Sequence, residues 1–282
     1  MKIILAEHFG MCFGVRDAIA QAEQIGAKGE LTILGELVHN PIVRERLHAQ
    51  GIREAGFGHT LPQSAPVMIT AHGASDVRRA ELRAAGFSIA DATCPLVQHA
   101  HDVLKRLVAA GFFPVVIGKA GHVEVEGLIG DFPDAIVLSS EEDVRRLPRS
   151  ARYGVISQTT QPIEFVRQVV DSIRQSYPDS DVRFVDTVCK PTKDRQSALR
   201  KLIAESDVIV VVGGRTSNNT HQLVATCSAT NKIVFHIERA EELRPEWFSA
   251  TEIIGLTAGT STLPETVAAV HARLLQIAGE RS

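Results

Sequence analysis

The sequence predicts an α/β protein of three similar units, with small, mostly parallel sheets arranged in a pseudo-threefold ring around a central cavity. Short apolar runs alternate with helical patterns along the whole chain, as in parallel sheets joined by crossover helices. Three stretches share one plan: Gly10-Met11-Cys12-Phe13-Gly14, Asp91-Ala92-Thr93-Cys94-Pro95 and Asp186-Thr187-Val188-Cys189-Lys190-Pro191 each end a strand-like run and begin a helix-like one. The spacing also recurs. Cys12 to Gly35 is 23 residues, Cys94 to Gly118 is 24 and Cys189 to Gly213 is 24.

In order, Ile3-Ile4-Leu5-Ala6 reads as a short buried strand, and Val15, Ala18, Ile19 and Ala22 follow at helical spacing. The strand Leu31–Gly35 leads to His39-Asn40-Pro41, where proline suits the first turn of a helix through Val43 and Leu47. Strand 66–70, helix 76–85 and strand 87–91 deliver the chain to Cys94. The second pass has helix 97–109, strand Phe113–Gly118, strand 154–157, the helix opened by Pro162 and strand 182–185. The third has helix 196–204, strand Val208–Gly213, strand 253–256 and a last helix with Val267, Val270 and Leu274. From each cysteine to the second loop of its unit (His72, Thr159, Ser261) is 60, 65 and 72 residues, a drift that insertions on one face of a repeat would give. The third unit lacks a closing strand, and the N-terminal strand supplies it. The units are therefore placed at 1–93, 94–188 and 189–282, with the first strand completing the third. Loops after parallel strands face one end of their sheets, where ligands bind.

Composition excludes more than it identifies. Of 282 residues, 44% are hydrophobic and 22% charged, enough for a sizeable core and against disorder. A net charge of -3 and an aromatic content of 5% argue against a nucleic-acid or anionic-membrane partner. No apolar run nears the roughly 20 residues of a membrane span, and the start MKIILAEHFG lacks a signal peptide's apolar block, so a cytoplasmic protein is expected. Cysteines in such a reducing compartment serve as ligands, catalytic groups or buried thiols rather than disulfides.

One cysteine per unit at a helix start favours a shared centre, because a helix N-terminus favours the thiolate that a metal requires. Three ligands on a four-iron cluster leave one iron open; zinc held by three cysteines is the competing reading. Cys227, in a helical stretch with no counterpart, reads as a core thiol. His39, His72 and His122 each lie in a loop directly after a strand, whereas His48, His59, His236 and His271 do not. Such histidines donate hydrogen bonds to an anion. The loops Gly213-Gly214-Arg215-Thr216-Ser217-Asn218-Asn219 and Ala258-Gly259-Thr260-Ser261 stand between strand and helix, where free N–H groups favour phosphate. Neither is a Walker loop or a dinucleotide fingerprint. Alone they would be caps and turns; with the histidines they point to a diphosphate or similar dianion. Glu124, two residues beyond His122, is a candidate proton donor if it faces a dry site. Glu126 reads as a first-turn acid. Thr159 either hydrogen-bonds that carboxyl or the substrate, or ends its strand.

These motifs resemble the LytB family, the 4-hydroxy-3-methylbut-2-enyl diphosphate reductases. The resemblance runs through Gly10-x-Cys12-x-Gly14, Val38-His39-Asn40, Ala71-His72-Gly73, Asp91-Ala92-Thr93-Cys94-Pro95, Gly121-His122-x-Glu124-x-Glu126-Gly127, Gln158-Thr159-Thr160, Cys189 with Arg195-Gln196, Ser217-x-Asn219 and Thr257-Ala258-Gly259-x-Ser261. It implies that Cys12, Cys94 and Cys189 hold one [4Fe–4S] cluster whose fourth iron takes the substrate's allylic hydroxyl. His39, His72, His122, Ser217, Asn219 and Ser261 would hold the diphosphate, together with Asn218, which stands where many members have a second serine. Glu124 would deliver protons, with Thr159 ordering the site. Two electrons, from an external donor such as ferredoxin or flavodoxin, and two protons would remove the hydroxyl as water, giving isopentenyl and dimethylallyl diphosphates. The chain departs from the family pattern at Lys190-Pro191, Met11 and Phe13, none of them a ligand or clamp position. The alternatives are a related cluster enzyme acting on another allylic diphosphate or as a hydro-lyase, and a non-catalytic iron–sulfur or zinc sensor of redox state.

Overall fold

The computed structural model describes residues 1–56 and 66–280; His59 lies outside the described residues. The elements run β1 (Lys2–Leu5), α1 (Phe13–Gly26), β2 (Thr32–Leu34), α2 (Pro41–Ala49), β3 (Arg53–Ala55), β4 (Val67–Ile69), α3 (Asp76–Ala84) and β5 (Ile89–Asp91). After Cys94 come α4 (Pro95–Ala109), β6 (Phe113–Ile117), α5 (Val123–Ile129), β7 (Ile136–Leu138), β8 (Arg152–Ser157), α6 (Ile163–Ser176) and β9 (Asp181–Phe184). After Cys189 come α7 (Lys190–Glu205), β10 (Val208–Val212), α8 (Asn218–Ser228), β11 (Ile233–Ile237), β12 (Ile253–Ala258) and α9 (Pro264–Glu280), with three short 3-10 turns elsewhere.

The chain divides into two compact units, one of Met1–Arg16, Val38–His48 and Lys190–Ser282, the other of Asp17–Leu37 and Ala49–Cys189. The first holds one four-stranded sheet, ordered β1-β12-β10-β11; the second holds two, ordered β3-β2-β4-β5 and β7-β6-β8-β9. All pairings are parallel. The order is the same three times over: the first strand after a cysteine is central, the second lies at one edge, and the strand leading to the next cysteine lies at the other. In the third sheet that last place is taken by β1, whose Leu5 pairs with Leu256.

Burial follows from this order. Central β10, Val208-Ile209-Val210-Val211-Val212, is buried throughout because helices cover both faces. Val208, Val210 and Val212 pack with Val267, Val270 and Leu274 of α9, while Ile209 and Val211 meet Leu199, Leu202 and Ile203 of α7. In the β6–β9 sheet, Val115 and Ile117 meet α6, and Val116 meets α4 and α5. Each such aliphatic side chain contributes about 1.5–3 kcal/mol relative to an exposed one.

Three strands, β3, β7 and β11, go beyond the nine that the apolar runs predict. All three lie at a sheet edge, and none shows the unbroken burial of an inner strand. β3 is only Arg-Glu-Ala, and Ile233 of β11 is 58% exposed. The helices after the second and third cysteines also start earlier than their apolar spacing indicates, at Pro95 and Lys190, directly beyond the cysteine. No helix among the described residues is long and apolar enough to cross a membrane.

Those two helices need a glycine beneath them. Gly154 and Gly255 each stand three residues before the last residue of β8 and β12. A Cβ on Gly154 would come within 2.9 Å of the Cβ atoms of Leu107 and Phe112; one on Gly255 would come within 2.8 Å of Leu202 Cγ and 2.6 Å of Ser206 Oγ. Gly154→Val should therefore destabilise the protein by about 1–3 kcal/mol through overpacking, even though valine favours strands. The midpoint of urea unfolding reads this, and an unshifted midpoint would show that the helix tolerates more room.

Candidate active site

The N–H of each cysteine is anchored to a backbone carbonyl of a neighbouring loop. Cys12 N–H donates to Thr260 O at 3.2 Å, Cys94 N–H to Ala71 O at 3.0 Å and Cys189 N–H to Thr159 O at 2.9 Å. The acceptors lie just past the ends of β12, β4 and β8. Each cysteine follows the edge strand that pairs with one of these (β1, β5 or β9), so the bond continues the pairing past the end of the sheet. None of the three is in a disulfide, and all are partly exposed. Cys94 occupies the N-cap position of α4 without making a side-chain cap. Cys227, by contrast, is fully buried in α8, and burial pushes its thiol up to about 12.

Register assigns the remaining candidates. Leu34 pairs with Ile69, Ile117 with Ser157 and Val212 with Ala258. Counting from these pairs, His39, His122 and Ser217 each stand four residues beyond Gly35, Gly118 and Gly213. Similarly, Ala71, Thr159 and Thr260 are equivalent, as are His72, Thr160 and Ser261. His72, Thr159 and Ser261 mark the second loop of each unit, and register places Thr160 rather than Thr159 level with His72 and Ser261.

In the second unit, His122 caps α5, its Nδ1 accepting the Glu124 N–H at 3.1 Å. The neutral ring then carries its proton on Nε2, from which it can donate. The His122 ring stands edge-on to His72, with centroids 5.5 Å apart. Thr70 Oγ1 lies 3.4 Å from His72 Nδ1. Glu124 is 2% exposed, and its Oε1 accepts the Thr159 N–H at 2.6 Å. Burial raises its carboxyl to about 7, against a smaller opposing pull from the backbone and side chain of Thr159. Thr159 in turn holds Cys189 through its carbonyl. Cys94, His72, His122, Glu124, Thr159 and Cys189 thus form one linked set, in which Cys94 bonds the residue beside His72.

In the first unit the same places carry different side chains. Ser217 caps α8, accepting the Thr220 N–H at 3.3 Å. Asn219, two residues on as Glu124 is from His122, accepts the Thr260 N–H through Oδ1 at 2.9 Å. One backbone slot therefore holds a carboxyl in one repeat and an amide in the other. Asn218 is 8% exposed and its amide nitrogen has no hydrogen-bond partner among the described residues, leaving a donor for a ligand. Ser261 Oγ donates to His39 O at 3.4 Å, and Asn40 Nδ2 donates to Ser261 O at 2.6 Å. Asn40 also caps α2, accepting the Ile42 N–H at 2.9 Å. A Cβ on Gly214 would meet His39 O at 2.3 Å, so only glycine lets these two loops approach. Cys12 joins this set through Thr260. The α2 and α8 N-termini, the buried amide and the hydroxyls form a donor array suited to an anion.

The supporting residues were the hidden part of the site. Asp91 and Asp186, each three residues ahead of a cysteine, accept the Thr93 N–H at 2.9 Å and the Val188 N–H at 3.1 Å. Arg79, 6% exposed, reaches Asp91 Oδ2 and Thr93 Oγ1, both at 2.8 Å. The Asp-x-x-Cys pattern, present twice, is the signal that finds the first pair. Asn40 stands in the Val38-His39-Asn40 motif, whereas Arg79 leaves no comparable trace, since its partners Asp91 and Thr93 lie in another element with no local spacing to mark them.

The LytB protein family model matches residues 3–275. The 4-hydroxy-3-methylbut-2-enyl diphosphate reductase of Aquifex aeolicus is 35% identical over 283 residues, covering 98% of this chain and 97% of that protein. The reductase of the same name from Pelobacter propionicus is 35% identical over 279 residues, with 98% and 99% covered. A solved structure described as (E)-4-hydroxy-3-methyl-but-2-enyl diphosphate reductase, the terminal enzyme of the non-mevalonate pathway, superposes with a TM-score of 0.72 at 35% identity, covering 98% of this chain and 99% of that one. The Plasmodium falciparum E-1-hydroxy-2-methyl-but-2-enyl-4-diphosphate reductase shares the fold at a TM-score of 0.89 and 24% identity, covering 98% and 88%. With the family model matched over residues 3–275 and reductases 35% identical along 98% of its length, the chain belongs to the LytB family.

Proposed function

We propose that this protein reduces 4-hydroxy-3-methylbut-2-enyl diphosphate to isopentenyl and dimethylallyl diphosphates. The allylic C–O bond breaks, and two electrons and two protons leave a C–H bond and water. The reading rests above all on Glu124, a buried carboxyl poised near neutrality and linked by hydrogen bonds to a histidine and to the loop of a cysteine. A redox sensor has no use for such a group. The repeated strand order supports three units, 1–93, 94–188 and 189–282, each contributing one cysteine.

Cys12, Cys94 and Cys189 are assigned as ligands of one [4Fe–4S] cluster. The donor set fits: three partly exposed cysteines outside any disulfide, each at a helix start on an anchored backbone, while the fourth, Cys227, is buried. A cluster so held supplies one open iron for an oxygen ligand and takes up electrons singly. His39, His72, His122, Ser217, Asn218, Asn219 and Ser261 are assigned to the diphosphate, with His122 donating from Nε2 and Asn218 from its amide. Their part is positioning, which accounts for much of the barrier lowering in such reactions. Glu124 holds the proton for the leaving hydroxyl, and the Thr159 N–H on Oε1 leaves Oε2 to carry it. Electrons come from an external carrier such as ferredoxin or flavodoxin, and cysteines outside any disulfide suit a cytoplasmic setting.

Anaerobic purification tests this directly. A brown protein with iron and sulfide, whose spectrum changes on adding the hydroxylated diphosphate, is expected; a colourless zinc protein, or a cluster indifferent to that ligand, would reject the assignment. Glu124→Gln keeps the shape and the acceptor for Thr159 but cannot deliver a proton. It should bind substrate and lose about 100-fold or more of turnover, the usual scale for a general acid. Near-normal turnover would remove Glu124 from the proton path. In the wild type, turnover should fall as pH rises through about 7, the value at which Glu124 loses its proton. A rate that is flat across this range, measured with saturating reductant, would assign proton delivery elsewhere.

A further inference from the structure

Arg195 lies in α7, six residues beyond Cys189, and is 7% exposed. Its Nη2 donates to Gly10 O at 2.6 Å and its Nη1 to Pro191 O at 2.9 Å. Gly10 comes two residues before Cys12, and Pro191 two residues after Cys189. A single planar guanidinium therefore grips the backbone beside two of the three cysteines, using the rigid fork that distinguishes arginine from lysine.

The other cysteine loops show what this replaces. Before Cys94 and Cys189, an aspartate side chain closes the turn by accepting a backbone N–H. The matching position before Cys12 is Phe9, which offers no acceptor. Gly10 is held instead by its N–H on Ala258 O at 3.0 Å and by Arg195 on its carbonyl. Charge points the same way. Three thiolates on a cluster concentrate negative charge, electron uptake adds to it, and a guanidinium keeps its proton at every working pH. Shielded from water, that cation acts on the cluster through a low dielectric and favours the reduced form.

We propose that Arg195 is a positioning residue for the cluster, fixing the backbone at Cys12 and after Cys189 while its buried charge eases reduction. The proposal rests on the reading that these cysteines carry a cluster. Wild type, Arg195→Gln and Arg195→Lys are reconstituted anaerobically with iron and sulfide. Iron content, the rate of bleaching in air and the midpoint potential by dye-mediated titration are then measured.

Arg195→Gln should bleach about 10-fold faster, the scale for loss of a group supporting metal ligands, and should have a lower potential. Arg195→Lys keeps the charge but not the fork, so it should bleach at an intermediate rate with a potential close to that of the wild type. Equal rates and equal potentials in all three proteins would overturn the proposal and leave the cluster reading intact. A wild type that takes up no cluster would overturn both. Should Arg195→Gln fail to fold by circular dichroism, Arg195→Lys decides alone, and bleaching at the wild-type rate sinks the idea.

Discussion

The bond from each cysteine N–H to a carbonyl just past the neighbouring strand is the constraint on which the site depends. A cysteine in a free loop would gain ligand geometry only by ordering its backbone at a cost of about 1–2 kcal/mol per residue. Here the strand pairing orders it already, because the anchoring bond continues that pairing past the ends of β1, β5 and β9. The helix that follows starts at once, as with Pro95 after Cys94, so the thiol is held between two regular elements. Gly154 and Gly255 belong to the same arrangement, since they let α4 and α7 lie close against the strands that supply the anchors.

The repeated frame fixes places while the side chains divide the labour among them. The capping place beyond the first strand holds His122 in one repeat and Ser217 in another; two residues on, the slot facing a threonine N–H holds Glu124 or Asn219. Each slot keeps its structural bond in both cases. Chemistry is then added by changing the part of the side chain not used for that bond. Asn219 leaves an amide nitrogen and Glu124 leaves an oxygen that can carry a proton. The same backbone thereby presents an amide among hydroxyls in the first unit and a buried carboxyl beside histidines in the second.

Most of this frame was legible from the sequence. The cysteine-to-glycine spacing survives because a helix and an inner strand tolerate little change in length, and inner strands such as Val208–Val212 announce themselves by being apolar on both faces. Of the three unpredicted edge strands, Arg53-Glu54-Ala55 carries no apolar signal, whereas Ile136-Val137-Leu138 and Ile233-Val234-Phe235-His236-Ile237 are apolar runs too short or interrupted for pattern alone to assign. That Thr160 rather than Thr159 stands level with His72 and Ser261 is read only from register, because unequal insertions precede these loops. Arg195 stood within a recognisable Arg-Gln motif, yet its role was invisible: its partner Gly10 lies 185 residues away and is a carbonyl, which any residue type supplies.

Glu124 also bears on how the fold as a whole responds to acid and base. Its folded value, about 7, lies above the ordinary 4.5, so the folded state binds its proton more tightly than the unfolded state does. Below pH 4.5 both states are protonated and the group is neutral in the balance. Between pH 4.5 and about 7 the unfolded chain ionises first, and stability drains away as pH rises, by about 3 kcal/mol once both states are charged. Asn219, in the matching slot, makes its bond without any such dependence. At neutral pH the protein is thus less stable than its architecture allows, and the deficit is confined to a single oxygen in place of a nitrogen.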